Sequence, residues 1–95
     1  MRIGWSPRAV RHLEAARAYI ARDNPAAATA VTQRIIAQVE RLVGFSPGIG
    51  RAGRIAGTRE LVITRTPYVV VYRVAQDEVQ VLAVIHQARA WPESL

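Results

Sequence analysis

The sequence predicts an α+β fold: a short N-terminal strand, an antiparallel helix hairpin, and then a three-strand antiparallel meander. In the first half of the chain, apolar residues recur every three or four positions, which is the spacing of amphipathic helices. In the second half, the apolar period falls to two, and β-branched and aromatic residues dominate, as they do in strands. A chain of 95 residues can build one compact core, so we expect a single domain over residues 1–95.

Each predicted helix starts at a capping residue that a proline follows. Ser6-Pro7 comes after a strand predicted over Arg2 to Trp5, and Asn24-Pro25 opens the second helix, which ends near Gly44. Because only a few residues separate the two helices, they should pack as an antiparallel hairpin. The apolar stripes expected to face the sheet are Val10, Leu13, Ala16, Ile20, Ala28, Val31, Ile35, Val39 and Leu42.

Three strands are predicted over Glu60 to Thr64, Tyr68 to Val74 and Val79 to His86. Strict alternation places His86 on the same face of the sheet as Arg73 and makes both faces largely apolar. The helix hairpin can cover only one face, so another segment or a partner should cover the second. In the middle strand one face carries Tyr68, Val70, Tyr72 and Val74 and the other Val69, Val71 and Arg73, whereas in the last strand Val79, Val81, Ala83 and Ile85 share a face.

The charge of the chain predicts an acidic partner. The formal net charge is +6, and all 13 basic residues are arginine, a side chain suited to bidentate contact with carboxylate or phosphate. That partner could be a nucleic acid, an acidic protein or an anionic lipid. No apolar run approaches the roughly 20 residues of a membrane span, and cysteine is absent, so we expect a soluble cytoplasmic protein without disulfides.

The residues Gly48, Gly50 and Gly53 spell G-x-G-x-x-G, the glycine pattern of dinucleotide-binding loops. That chemistry requires a strand before the glycines and a helix after them, because the helix N-terminus meets the pyrophosphate. Here a predicted helix precedes the glycines and predicted strands follow. We therefore expect the segment from Gly48 to Gly57 to be a mobile connecting loop without nucleotide affinity, and we expect no cofactor.

Four side chains could carry chemistry, and each also has a structural interpretation. His12 borders the first helical stripe, where partial burial is more usual than metal binding, and no metal site is expected. Glu60, which an arginine precedes, suits either a general base or an ion pair. His86 could act as general acid or base on a phosphodiester, or simply end a strand. Trp91 could dock a partner or pack over the uncovered sheet face.

Three stretches give the chain a resemblance to a known family: Arg59-Glu60-Leu61, the P-Y-x-x-x-Y-R-V run from Pro67 to Val74, and the H-x-A-R-x-W-P run from His86 to Pro92. Together with the order of elements, they are similar to the ParE/RelE superfamily of type II toxin–antitoxin toxins. The resemblance covers essentially the whole chain and implies the α+β fold predicted above. The H-x-A-R-x-W-P ending is most similar to the ParE branch.

The resemblance implies one of two activities. A RelE-like toxin would cut ribosome-bound mRNA, and the residues available for that chemistry are Arg65, Arg73, His86 and Arg89. Val69 and Gln87 stand where RelE-like members usually have basic residues, so this set is incomplete. A ParE-like toxin instead poisons DNA gyrase and need have no catalytic residue. Its target-binding residues would be Arg89, Trp91 and His86.

The resemblance also implies a co-encoded acidic ParD-like antitoxin that forms a hetero-oligomer with the toxin. We expect the antitoxin to order itself across the second sheet face and the helix hairpin. The side chains expected to meet it are Arg59, Arg65, Arg73, Val69 and Val71. Two alternatives remain open: a RelE-like endoribonuclease, whose partners would be the ribosome and mRNA, and a basic nucleic-acid-binding module without toxicity.

Overall fold

The computed structural model describes residues 1–44, 49–92 and 94–95. Its elements are β1 (Arg2–Trp5), α1 (Pro7–Ala21), α2 (Pro25–Gly44), β2 (Arg51–Ala52), β3 (Arg59–Val62), β4 (Tyr68–Ala75) and β5 (Glu78–His86). In the described residues, the strands form one five-stranded sheet in the order β1-β5-β4-β3-β2. β1 runs parallel to β5, and the remaining neighbours are antiparallel. The structure confirms the predicted α+β fold, with the meander formed by β3, β4 and β5.

Both helices start at the predicted caps. The Ser6 hydroxyl accepts a hydrogen bond from the Ala9 N–H at 3.0 Å, and Asn24 Oδ1 accepts one from the Ala27 N–H at 3.0 Å. The Ser6 hydroxyl also donates to the Leu82 carbonyl at 3.1 Å. One side chain thus caps α1 and ties its first turn to β5, which fixes where the helix leaves the sheet.

The helix hairpin covers one face of the sheet, which we call the helix face. Ile35 and Val39 of α2 are fully buried there against Val70 and Val81. In α1 the buried positions are Ala9 and the predicted Ala16, whereas Val10, which the sequence analysis assigned to the stripe, is exposed. Ala9 and Val10 lie about 100° apart around the helix, and the spacing of Ala9 from Leu13 fits the stripe.

A bulge changes the predicted faces of the last strand. Val71 pairs with Ala83 while Tyr72 pairs with Val81, so Leu82 is an extra residue in β5. Past this point the alternation in β5 reverses: Val81 packs on the helix face, but Ala83 packs on the other face, with Val71. The prediction that Val79, Val81, Ala83 and Ile85 share one face is therefore wrong, because one inserted residue shifts every later side chain.

Two residues of the predicted loop belong to the sheet. Gly48 lies outside the described residues, but Arg51–Ala52 forms β2 and pairs with β3. The Gly50 N–H donates to the Tyr72 hydroxyl at 3.1 Å, and the Gly53 N–H donates to the Thr58 carbonyl at 2.8 Å. The expectation that the whole segment is a connecting loop is corrected, because it contains β2. The glycines also allow close packing: a Cβ on Gly50 would lie 2.6 Å from the Glu60 carbonyl oxygen.

The second face of the sheet, which we call the outer face, is partly covered by the chain itself. The segment after β5, residues 87–92 and 94–95, is the tail. Trp91 and Leu95 of the tail pack against Val71, Ala83 and Ile85. The structure therefore supplies part of the cover that the sequence analysis expected from another segment or a partner. In the described part of the chain, no helix is long and apolar enough to cross a membrane.

Candidate functional site

A groove of about 540 Å³ lies between α1 and the tail, along the edge of β5. β1 pairs with β5 only from Glu78 to Val81, so α1 flanks the rest of that edge. There His12 Nδ1 accepts a hydrogen bond from the Val84 N–H at 3.2 Å. The histidine thus replaces the backbone carbonyl that a neighbouring strand would supply. Half of the described residues that line the groove are aromatic or basic: Arg8, His12, Tyr19, Tyr68, His86, Arg89 and Trp91.

The two histidines of the groove are held in the same way. His12 Nδ1 accepts from the Val84 N–H, and His86 Nδ1 accepts from the Ala88 N–H at 3.1 Å. In a neutral imidazole whose Nδ1 is an acceptor, the proton is on Nε2, so each ring offers an N–H donor. Burial, followed by the charges of Arg8 and Arg11, lowers the pKa of His12 below its usual value and favours this neutral form.

The remaining polar groups of the groove are also mainly donors. Arg8 and Arg89 are exposed, and the Arg89 guanidinium lies 5.7 Å from the centre of the Tyr19 ring. His86 packs edge-on against Tyr68, with ring centres 5.4 Å apart. A groove with an aromatic wall and several N–H donors suits a ligand that presents carboxylate or phosphate oxygens next to apolar groups.

The structure does not bring together the four residues available for RNA cleavage. Arg73 lies on the outer face by the alternation of β4, and its Nε donates to Gln80 at 2.9 Å, whereas the bulge in β5 moves His86 to the helix face, where it contacts Tyr68. His86 pairs with Tyr68, five positions from Arg73 along β4, which is about 17 Å. The prediction that Arg73 and His86 share a face is wrong, and the two cannot meet at one phosphate.

The side chains expected to meet an antitoxin have different environments. Arg65, in the turn before β4, and Arg73 are exposed. Val69 and Val71 are 0% exposed, and the tail lies over Val71. The half-buried Arg59 donates from its guanidinium to the Gly50 carbonyl. Of this set, the structure therefore presents only Arg65 and Arg73 openly to a partner.

Glu60 is the centre of an ionic cluster at the β2–β3 end of the sheet. Its carboxylate is 2% exposed; Arg51 donates to Oε1 at 2.9 and 3.0 Å, and Arg54 donates to Oε2 from its backbone N–H at 2.8 Å and from Nε at 3.3 Å. Burial alone would raise the pKa of Glu60, but these hydrogen bonds outweigh it and hold the pKa below its usual value. The ion-pair interpretation is confirmed, with partners that the sequence analysis did not name.

Trp91 is half-buried between this cluster and the sheet. The Arg54 guanidinium lies 3.5 Å from the centre of its ring, and the Trp91 Nε1–H is buried without an acceptor among the described residues. Packing over the sheet, the structural interpretation of Trp91, is what the structure shows. The contact of Arg54 with Trp91 was not predicted, because neither spacing nor periodicity relates two residues that are 37 positions apart in the chain.

The fold and the tail define a small toxin of the ParE/RelE type, and comparisons with known proteins identify the branch. Residues 3–91 match the family described as the ParE toxin of the type II toxin–antitoxin system parDE, and the chain belongs to that family. Over 94 residues it is 45% identical to Y4kP, a candidate toxin of Sinorhizobium fredii, covering 99% of this chain and 96% of the relative. A chain of the chromosomal ParDE system of P. aeruginosa matches with a TM-score of 0.81 and 30% identity, over 90% of this chain and 95% of that one.

Proposed function

We propose that this ParE-family toxin acts by binding DNA gyrase through the groove and the tail, and that an acidic ParD-type antitoxin neutralises it. The observation that carries the proposal is the separation of Arg73 from His86 across the two faces of the sheet. Acid–base cleavage of RNA needs cations and a proton-transfer group at one phosphate. Because Arg73 lies away from His86, the set of residues available for cleavage is not assembled, which favours binding of a target over cutting of a substrate.

The groove has the features of a binding surface. Arg89 is exposed beside Tyr19, a residue that is itself 57% exposed, so an arginine and an aromatic are presented together. Arginine and aromatic side chains dominate the energetics of protein interfaces. His86 forms part of the groove wall, and the half-buried Trp91 anchors the tail beside it. In this proposal Arg89 makes the main contact with gyrase, while Trp91 and His86 shape the surface.

The same surface suits an acidic antitoxin. The chain carries a formal net charge of +6, and the groove presents N–H donors beside aromatic rings. An acidic, initially unstructured segment would place carboxylates on Arg8 and Arg89 and apolar side chains on the rings between them. The ParDE system of P. aeruginosa, which contains a chain of similar fold, is consistent with a ParD-type partner. Occupation of the groove by the antitoxin would then block gyrase directly.

The test compares Arg89→Ala with Arg22→Ala, an exposed arginine that does not line the groove. Each variant is expressed without antitoxin, checked for folding by circular dichroism, and added to purified gyrase in a supercoiling assay. Loss of a central interface arginine costs about 2 kcal/mol, so the concentration of Arg89→Ala needed for half-inhibition should rise about 30-fold. Arg22→Ala should inhibit like the wild type.

His86→Ala separates gyrase binding from RNA cleavage. We expect this variant to remain toxic and to inhibit gyrase within a few-fold of the wild type, because His86 only lines the groove. Cleavage of ribosome-bound mRNA by the wild type, abolished in His86→Ala and accompanied by no effect on gyrase, would replace the proposal with the ribonuclease alternative. An acidic ParD-type protein encoded beside the toxin should bind it and restore supercoiling.

A further inference from the structure

We infer that Glu60 and Arg54 are positioning residues for the tail: the buried carboxylate fixes the Arg54 guanidinium, and the guanidinium fixes the Trp91 ring. This inference rests on the proposed function, since it concerns the segment through which the toxin would bind its target. None of these side chains needs to touch gyrase. Their contribution is to hold Arg89 and the groove wall in one arrangement before the target arrives, which reduces the ordering cost of binding.

The first step is the fixing of Arg54 by Glu60. One carboxylate oxygen accepts from both the backbone N–H and the side-chain Nε of Arg54, at 2.8 and 3.3 Å. These two hydrogen bonds fix both the backbone of the turn after β2 and the direction of the Arg54 side chain. A free arginine side chain samples many rotamers, and an anchored one loses that freedom before binding. Because Glu60 lies in β3 and is 2% exposed, the anchor belongs to the sheet itself.

The second step is the contact between Arg54 and Trp91. The guanidinium lies 3.5 Å from the ring centre, within the range of a strong cation–π contact, and the indole and Leu95 pack against Ala83 and Ile85 on the outer face. The indole is therefore in contact with the sheet and with a cation that the sheet holds. Both contacts must be lost before the tail can leave.

The tail depends on these side chains because its backbone is weakly held. Near β5, the Gln87 N–H donates to the Pro67 carbonyl at 2.8 Å, and the Arg89 N–H donates to the His86 carbonyl at 3.1 Å. Beyond Arg89, the described residues of the tail make no backbone–backbone hydrogen bond. Side-chain contacts at Trp91 and Leu95 are then the main restraint on the last part of the tail, and Arg89 lies between that restraint and the end of β5.

Arg51 provides a matched control for Arg54. Both arginines bind the Glu60 carboxylate and are about half exposed, with side-chain exposures of 53% and 48%, but of the two only Arg54 lies over Trp91. Replacement of either by alanine removes one cation from the buried carboxylate. The two variants therefore share the electrostatic change and differ in the contact with the tail.

The experiment measures the tail and the target separately. Trp5→Phe leaves Trp91 as the one tryptophan of the sequence, and Arg54→Ala, Arg51→Ala and Arg54→Lys are made in that background. Acrylamide quenching of Trp91 fluorescence and amide hydrogen exchange over residues 88–95 report on the tail, and gyrase supercoiling reports on function. Circular dichroism and urea unfolding establish that each variant folds.

In Arg54→Ala we expect faster exchange and stronger quenching at the tail, by about tenfold in exchange rate, together with weaker gyrase inhibition. Arg51→Ala should leave both readouts near the wild type, and Arg54→Lys should restore part of each because it keeps a cation near the ring. Equal effects of Arg51→Ala and Arg54→Ala, or an unchanged tail in Arg54→Ala, would overturn the inference. If the wild type inhibits gyrase, a loosened tail with unchanged inhibition would also overturn it.

The proposed function can fail on its own. If the wild type does not inhibit gyrase, and Arg54→Ala still loosens Trp91 while Arg51→Ala does not, the gyrase proposal falls. The positioning of the tail by Glu60 and Arg54 then stands, and toxicity in growing cells replaces supercoiling as the functional readout. The same pair of variants distinguishes tail positioning from a general loss of charge in that assay.

Discussion

The two faces of the sheet are covered in different ways. On the helix face, α1 and α2 satisfy their own backbone hydrogen bonds and bury Ile35 and Val39 completely. On the outer face, a tail without regular structure covers Val71 through Trp91 and Leu95, which remain partly exposed. We expect removal of the helices to unfold the protein, and removal of the tail to expose one apolar patch. We therefore expect the tail to leave the outer face more readily than the helices leave the helix face.

The largest expected effect is a difference in stability between a substitution on the helix face and one in the tail. Ile35→Ala leaves a cavity on the helix face and should lower the free energy of unfolding by about 3 kcal/mol, within the range for buried Ile-to-Ala changes. Leu95→Ala removes a partly exposed side chain at the end of the tail and should cost less than about 1 kcal/mol. Urea unfolding followed by circular dichroism measures both. Equal losses would show that the tail is as integral to the fold as the hairpin.

A smaller effect is expected at the glycines that join α2 to the sheet. Gly50→Ala places a Cβ 2.6 Å from both the Glu60 carbonyl oxygen and the Tyr72 hydroxyl, so the backbone must shift at a cost of about 1–3 kcal/mol. Ala52→Ser, at an exposed position of β2, serves as a control and should change stability by less than about 0.5 kcal/mol. Stability is read from the urea midpoint.

The same variant also tests the role of the glycine pattern. If Gly50 served a nucleotide, NAD titration of the wild type would show saturable binding that Gly50→Ala removes, with little change in stability. Such a result would return the segment to the dinucleotide interpretation. We expect no saturable NAD signal for either protein.

The smallest effect concerns pH at the edge of β5. The folded protein holds the pKa of His12 below its ordinary value of about 6.5, so the unfolded chain binds the proton more readily. The contribution of neutral His12 is complete above the unfolded pKa, and it is lost as pH falls from there through the lower folded pKa. His12→Gln keeps an acceptor for the Val84 N–H but does not titrate. The loss of stability between pH 7 and pH 5 should be smaller in this variant, and an unchanged pH slope would contradict the assignment.

Local signals in the sequence predicted most of the fold. The two caps, the hairpin and the strands of the meander all depend on residues close to one another in the chain, and all are present. The bulge at Leu82 was not predictable. Both faces of the strand are largely apolar, so one extra residue does not change the pattern of apolar residues in the sequence. β2 was missed because two residues are too short to show a period.

The candidate site was predicted less well, since it depends on contacts between distant parts of the chain. The histidines were recognised by residue type, but their hydrogen bonds to backbone N–H groups follow from the path of α1 and of the tail. Val71 is buried because the tail packs over it, and the composition of the tail does not indicate where the tail packs. The contact between Arg54 and Trp91 depends on the carboxylate of Glu60, which lies in a third segment of the chain. A sequence pattern that relates two residues cannot predict such a contact.

The parallel pairing of β1 with β5 also determines when the sheet can form during synthesis of the chain. Residues 2–5 are synthesised before residues 78–81, which are their partners, and the Ser6 hydroxyl contacts a carbonyl 76 positions away. Pairings over such separations form slowly, because a long loop must close before any contact is gained. A nascent chain that has passed the helix hairpin has neither β5 nor the tail. The five-stranded sheet can therefore be completed only after residues 78–81 have been synthesised.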